Sequence, residues 1–247
     1  MTAGVIGAAA GMATLGGWAA LYYATYGVRS QWLGATYWRG PADRPAVALT
    51  IDDGPGEDTE RVLDALAHQS VRAAFFVIGR NVERYPRIAR RIVDEGHEIG
   101  NHSYAHPIYL YATPARTREE LARTQQVIAD VAGVTPIWSR PPCGVRTPAY
   151  FSAARALGLR TVQWSATGYD WRLRRAEEIA AAVLRGVMAG AIVLLHDGDS
   201  AGRSDRRATA AAVREIVAGV TARGLRPEAL SQLLAIHPSA VAGRSNA

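Results

Sequence analysis

Apolar and polar positions along this chain fall into blocks whose period switches repeatedly between strand-like and helix-like. Residues 46–51, Ala-Val-Ala-Leu-Thr-Ile, form a short, mostly apolar run that reads as a buried strand. In the next stretch, 59–68, Val62, Leu63 and Leu66 share one helical face. The same exchange recurs, with strands expected at 73–78, 96–100, 135–139, 161–164, 191–195 and 225–228. Helices are expected between them at 82–95, 118–132, 148–157, 176–188 and 206–223. Such alternation predicts an α/β protein with a parallel sheet covered by helices. Six or seven units packed into about 200 residues favour a barrel over an open sheet.

The first residues break this pattern. Residues 1–28 carry no charged side chain, and 5–26 are long enough to span a bilayer. Tyr22, Tyr23 and Tyr26 would suit an interfacial belt at its end. The missing basic stretch before it argues against a cleaved signal peptide. The expectation is a hydrophobic N-terminal helix, residues 1–28, that anchors the protein in a membrane. Arg29, Arg39 and Arg44 all follow it; this bias favours a cytoplasmic domain but leaves the side open. Residues 29–45 read as a linker, 46–236 as the barrel domain and 237–247 as a disordered tail.

Composition adds two exclusions. All 28 basic residues are arginines, spread through helical segments, so the net charge of +6 marks no nucleic-acid surface. A single cysteine, Cys143, excludes an intrachain disulfide and a cysteine-built zinc site. No protein partner is expected.

The informative polar groups collect where strands end. Asp52 and Asp53 follow the first strand, and two like charges this close are costly unless a cation neutralises one. Adjacent strand residues point to opposite faces, so both serve one site only if the backbone bends at Gly54-Pro55. His102 and His106 follow the third strand, and Pro107 disfavours a helix there, so the pair belongs on a loop. Two imidazoles and one carboxylate suit a divalent metal with positions left open. Arg140, Asp170-Trp171 and His196 follow later strands. Singly, each has an ordinary structural explanation. Together they occupy the C-terminal strand ends, where α/β barrels build active sites.

In this order the motifs resemble those of the polysaccharide deacetylases with a NodB-homology domain, carbohydrate esterase family 4. Residues 50–55 match T-F-D-D-G-P with Ile51 for Phe, and 102–106 match H-[ST]-x-x-H. Residues 140–144 match R-P-P-Y-G with Cys143 for Tyr, and 194–196 match L-x-H. Asp170 and Trp171 match the end of D-x-x-D-W, whose first acid is replaced by Thr167. The resemblance covers roughly residues 45–235 and implies a distorted (β/α) barrel of about seven strands.

It also implies roles. Asp53, His102 and His106 would hold a divalent metal, usually zinc, with cobalt, nickel or manganese as alternatives. Asp52 would be the general base, oriented by Arg140. His196 would be the general acid for the leaving amine, partnered by Asp170. Leu194 and Trp171 would shape the acyl pocket, and the Cys143 backbone N–H would serve the oxyanion. Tyr104, Tyr109 and Tyr111 would offer stacking surfaces for sugar rings. The implied reaction removes an N-acetyl group from an amino sugar in peptidoglycan, a chitin-like oligomer or a lipid-linked saccharide. The rivals are an O-acetyl esterase acting on xylan-like glycans, an inactive carbohydrate-binding barrel, and a thiolate mechanism at Cys143.

Overall fold

Period-two alternation along the strands sorts side chains between two cores. In the computed structural model, which describes residues 16–201 and 204–236, β1 (Ala46–Asp52) is buried along its whole length. Val47, Leu49 and Ile51 face a large core built with the helices. Ala46 and Ala48 face a smaller inner core with Ala74, Phe76, Trp138 and Ile192. Thr50 and Asp52 continue that inner face by the same alternation.

The strands β2 (Ala74–Val77), β3 (Glu98–Asn101), β4 (Trp138–Ser139), β5 (Arg160–Thr161), β6 (Ala166–Thr167) and β7 (Ile192–His196) complete a curled sheet. Its order is β5-β4-β3-β2-β1-β7-β6, with β8 (Arg226–Pro227) pairing the start of β1, and every ladder is parallel. This is the parallel α/β barrel that the strand–helix alternation predicted, in the distorted form that the family resemblance implied. β6 was not expected, because two residues carry no readable period. Residues from the 29–45 segment reach the open side: Tyr37 bridges Val162 and Arg39 bridges Ala191.

Helices α2 (Thr59–His68), α5 (Pro114–Ala132), α6 (Pro148–Ala156), α7 (Ala176–Gly186) and α8 (Arg207–Thr221) form close to the predicted positions. α5 and α6 start alike: Thr113 and Thr147 accept hydrogen bonds from the N–H groups of Arg116 and Tyr150, with proline next in sequence. The single helix expected at 82–95 is two, α3 (Gly79–Arg84) and α4 (Pro86–Asp94). Pro86 has no N–H to continue a helix, and Tyr85 turns to φ −124° and ψ 56° before it.

The N-terminal expectation requires a correction. The span at 5–26 lies partly outside the described residues; its described part is a helix, α1, over 16–26. No helix among the described residues is long and apolar enough to cross a membrane. A crossing needs about 20 consecutive apolar residues, and the end of α1 is instead held by the barrel. Arg146 is buried and donates to the carbonyls of Ala24 and Gly27, and Ala24 and Thr25 are buried beneath the contact. The expected membrane-spanning helix is therefore not found among the described residues. The tail expected at 237–247 lies outside the described residues.

Candidate active site

Asp52 reaches the inner face simply by ending β1. Asp53 would point away, but its φ of 78° takes the left-handed region and turns the carboxylate back. That conformation costs a non-glycine residue roughly 1–3 kcal/mol. It is held by the Asp53 N–H donating to the Phe76 carbonyl at 3.2 Å and by Asn81 Nδ2 donating to the Asp53 carbonyl at 2.8 Å. The required bend is thus at Asp53 itself.

β3 ends at Asn101, whose side chain donates to the Leu121 carbonyl and accepts from the Ser103 N–H at 3.0 Å. Ser103 and His106 both have positive φ, and the His106 N–H donates to Ser103 Oγ at 2.9 Å. The histidines therefore sit on a tight loop. Their Nε2 atoms each lie 3.3 Å from Asp53 Oδ1. His102 Nδ1 lies 2.7 Å from the Arg140 carbonyl, so it must carry the proton and leaves Nε2 as the free lone pair.

These residues fit a cation. Asp53 Oδ1 is buried and has no hydrogen-bond partner, and the three ligand atoms lie within 4.8 Å of one another. An oxygen and two imidazole nitrogens form the donor set of a divalent first-row metal. Burial alone would raise the Asp53 carboxyl, but His102 and His106 outweigh it and hold it well below the usual range. Burial would lower His102, yet the charges of Asp52 and Asp53 raise it. Positive charge is favoured at this point.

Arg140, which follows β4, is completely buried. Its Nη1 donates to Asp52 Oδ1 at 2.7 Å and to Thr50 Oγ1 at 2.8 Å, and its Nη2 donates to the Gln163 carbonyl at 3.0 Å. The guanidinium also stacks 4.2 Å from the Phe76 ring centroid. Burial lowers its pKa and the Asp52 charge counters that. The ion pair fixes the orientation of Asp52 and leaves Oδ2 on the side of His102, 3.8 Å from Nε2.

His196 ends β7 on the same inner face. Asp170 accepts from its backbone N–H at 2.7 Å and lies 2.8 Å from its Nδ1. Thr209 Oγ1 donates to Asp170 Oδ2 at 2.9 Å, and Arg206 donates to the Asp170 carbonyl at 2.8 Å. Burial opposes charge on His196, but the bond to Asp170, helped by the Asp53 and Asp52 charges, raises its pKa to about 9. At neutral pH it is a protonated imidazole with Nε2 as donor.

Asp52, Asp53, His102, His106, His196, Cys143, Leu194 and Trp171 line one cavity of about 320 Å³ with Gly144 and Trp164. Trp171 packs edge-on to His196 at 5.3 Å. Tyr104 is not brought in: Arg123 covers its ring at 3.5 Å, and its hydroxyl donates to Glu83 at 2.7 Å. Tyr109 is buried and Tyr111 is exposed, and neither lines the cavity. The Cys143 thiol is raised by packing and by the nearby Asp53 and Asp52 charges, which disfavours a nucleophilic thiolate.

Residues 39–162 match the family model described as polysaccharide deacetylase. A chitooligosaccharide deacetylase from Bradyrhizobium sp. strain ANU 289 is 35% identical over 197 residues, covering 76% of this chain and 90% of that one. The chain belongs to the polysaccharide deacetylase family. A peptidoglycan-N-acetylglucosamine deacetylase from Bacillus cereus is 37% identical over 158 residues, covering 64% of this chain. The chain spans 58% of the length of that relative. The solved Bc1960 peptidoglycan N-acetylglucosamine deacetylase superposes with a TM-score of 0.78 at 32% identity, covering 82% of this chain and 94% of that one.

Several residues of this site received no role from the sequence. Trp164 and Gly144 line the cavity, Thr50 supports Arg140, and Asn81 clamps Asp53. Asp197 is buried beneath the Asp53–Gly54 turn, accepts from Thr59 Oγ1 at 2.6 Å, and is raised to about 7, mainly by burial. Its place beside His196 in His-Asp-Gly was a signal; the missing information was what packed against it.

Proposed function

We propose that this protein is a metal-dependent hydrolase that removes the N-acetyl group from an acetylated glucosamine glycan of the peptidoglycan or chitooligosaccharide class. The observation that carries the reading is the buried, unpartnered Asp53 Oδ1 between two imidazoles, in a cavity shared with Asp52 and His196. Relatives named as deacetylases of such glycans support the substrate class.

Asp53, His102 and His106 would hold the cation, with zinc favoured by the donor set. When bound, such an ion acidifies water and polarises the acyl carbonyl. Asp52, held by Arg140, accepts the proton of the attacking water through Oδ2. Its ion pair keeps it aimed without consuming both oxygens. The Cys143 backbone N–H is suited to the developing oxyanion, and Leu194 and Trp171 bound the space for the small acyl group. His196 Nε2 then donates its proton to the departing amine, a step that amide hydrolysis requires because an amide anion is a poor leaving group. Asp170 holds the imidazole in its protonated, correctly turned form.

The test is acetate release by the full chain from peptidoglycan fragments, chitooligosaccharides and acetylated xylan. Chelation should abolish release from the amides, and a defined metal should restore it. Turnover confined to xylan would establish the O-acetyl esterase instead. Sugar binding without any turnover would establish an inactive barrel.

A further inference from the structure

A second open cavity, of about 540 Å³, adjoins the catalytic one and shares Trp164 with it as a wall. One side comes from the end of α1 and the segment after it, with Tyr23 and Arg29; the other comes from β6 and α7, with Thr167 and Arg185. The two cavities are coupled by packing. Thr167 is the register partner of Leu194, and Tyr169 stands edge-on to Trp171 at 5.5 Å.

The charge in this second cavity is one-sided. Arg29 and Arg185 line it, and no carboxylate does. The Arg29 guanidinium lies 4.9 Å from the Trp38 ring centroid. Among the described residues neither arginine has an ion-pair partner, unlike Arg44 with Glu228 and Arg140 with Asp52. Thr167 stands where the D-x-x-D-W pattern carries an acid, so a hydroxyl replaces the one carboxylate that would have faced these cations. Two forked, permanently charged donors beside a hydroxyl suit a carboxylate or a phosphate oxygen set.

We propose that this cavity is an anion-binding subsite, and that the substrate is an acylated amino-sugar glycan bearing a carboxylate or phosphate next to the acylated sugar. The assignment rests on the deacetylase reading for the reaction, but its charge selectivity is separable from it. Because both arginines are exposed, their attraction for the substrate is screened by salt.

The experiment compares metal-loaded full-length protein with Arg29→Gln, Arg185→Gln and the double variant. The substrates are neutral chitotetraose, a muramic-acid-containing N-acetylglucosamine oligomer, and an N-acetylglucosamine oligomer with a terminal phosphate. The wild type should favour an anionic substrate by about fivefold or more in kcat/KM at low salt, and the double variant should lose that ratio through KM. The preference should shrink as salt rises from ~0.05 to ~0.5 M. Whether the carboxylate or the phosphate arm carries the preference identifies its source. A ratio that the double substitution leaves unchanged overturns the subsite. If no substrate releases acetate, the deacetylase reading fails separately. Calorimetric binding of the two anionic oligomers to Asp52→Asn, with and without the arginine substitutions, then reads the subsite alone, and equal affinities overturn it.

Discussion

Asp52 and His196 are register partners on adjacent parallel strands, β1 and β7. Both end their strands on the inner face, so the proton acceptor and proton donor proposed for the reaction share one origin in sheet geometry. Each is then aimed by a buried partner from another strand end, Arg140 for Asp52 and Asp170 for His196. The two roles separate because the partners have opposite charge. Arg140 places a positive charge beside Asp52, and Asp170 favours the imidazolium of His196.

Replacing Arg140 with Met should strand the Asp52 carboxylate in a buried site. Removing one member of a buried ion pair costs about 3–5 kcal/mol. Denaturant unfolding of the variant should show a loss of that order, and activity should fall with it. A loss below about 1 kcal/mol would mean that Asp52 is satisfied by other donors.

Substitution of Asp52 with Asn and of His102 and His106 with Ala should fail in different ways. Asp52→Asn should keep stoichiometric metal and lose about 10²–10⁴-fold in kcat. The double histidine variant should lose metal while circular dichroism stays native-like. Elemental analysis of the two purified proteins decides the assignment; metal lost from Asp52→Asn would make Asp52 a ligand.

The His196 pKa, raised from 6.5 to about 9, should set an alkaline limit on activity. The general acid is protonated below that value, so kcat/KM should fall as pH rises through about 9. Asp170→Asn removes the main support of the charged form and should move the limb downward toward 6.5. Stability follows the same sign. The contribution of this raised pKa is fully present below 6.5 and is lost as pH climbs through about 9. A pH–rate profile with an unmoved alkaline limb in Asp170→Asn would assign that limb to another group.

Cys143→Ala should retain most activity, because the side chain only lines the cavity and its thiol is pushed up rather than down. Trp171→Ala should cost more, raising KM and weakening the packing against His196. Mass spectrometry that trapped an acyl group on Cys143 would reverse this order and restore the thiolate mechanism.

The sequence alone determined the architecture and the candidate residues at the strand ends. Alternating periods prescribed strands and helices in a parallel arrangement, because each period buries a different apolar face. The Asp-Asp pair, the His-x-x-x-His loop and the later strand-end residues then converge in a parallel barrel, where all strands point the same way. Short or context-dependent features were decided only by tertiary structure. β6 exists because Ala166 and Thr167 pair with β7, which two residues cannot announce. Tyr104 looked like a sugar platform until Arg123 and Glu83 covered it. The uncharged N-terminal stretch satisfied a hydropathy rule, yet the end of α1 is held by buried hydrogen bonds from Arg146, more than a hundred residues away. Local pattern reports which face of an element must be buried. It does not report which distant side chain supplies the partner, and that choice made both the orientation of Asp52 and the open cationic wall beside it.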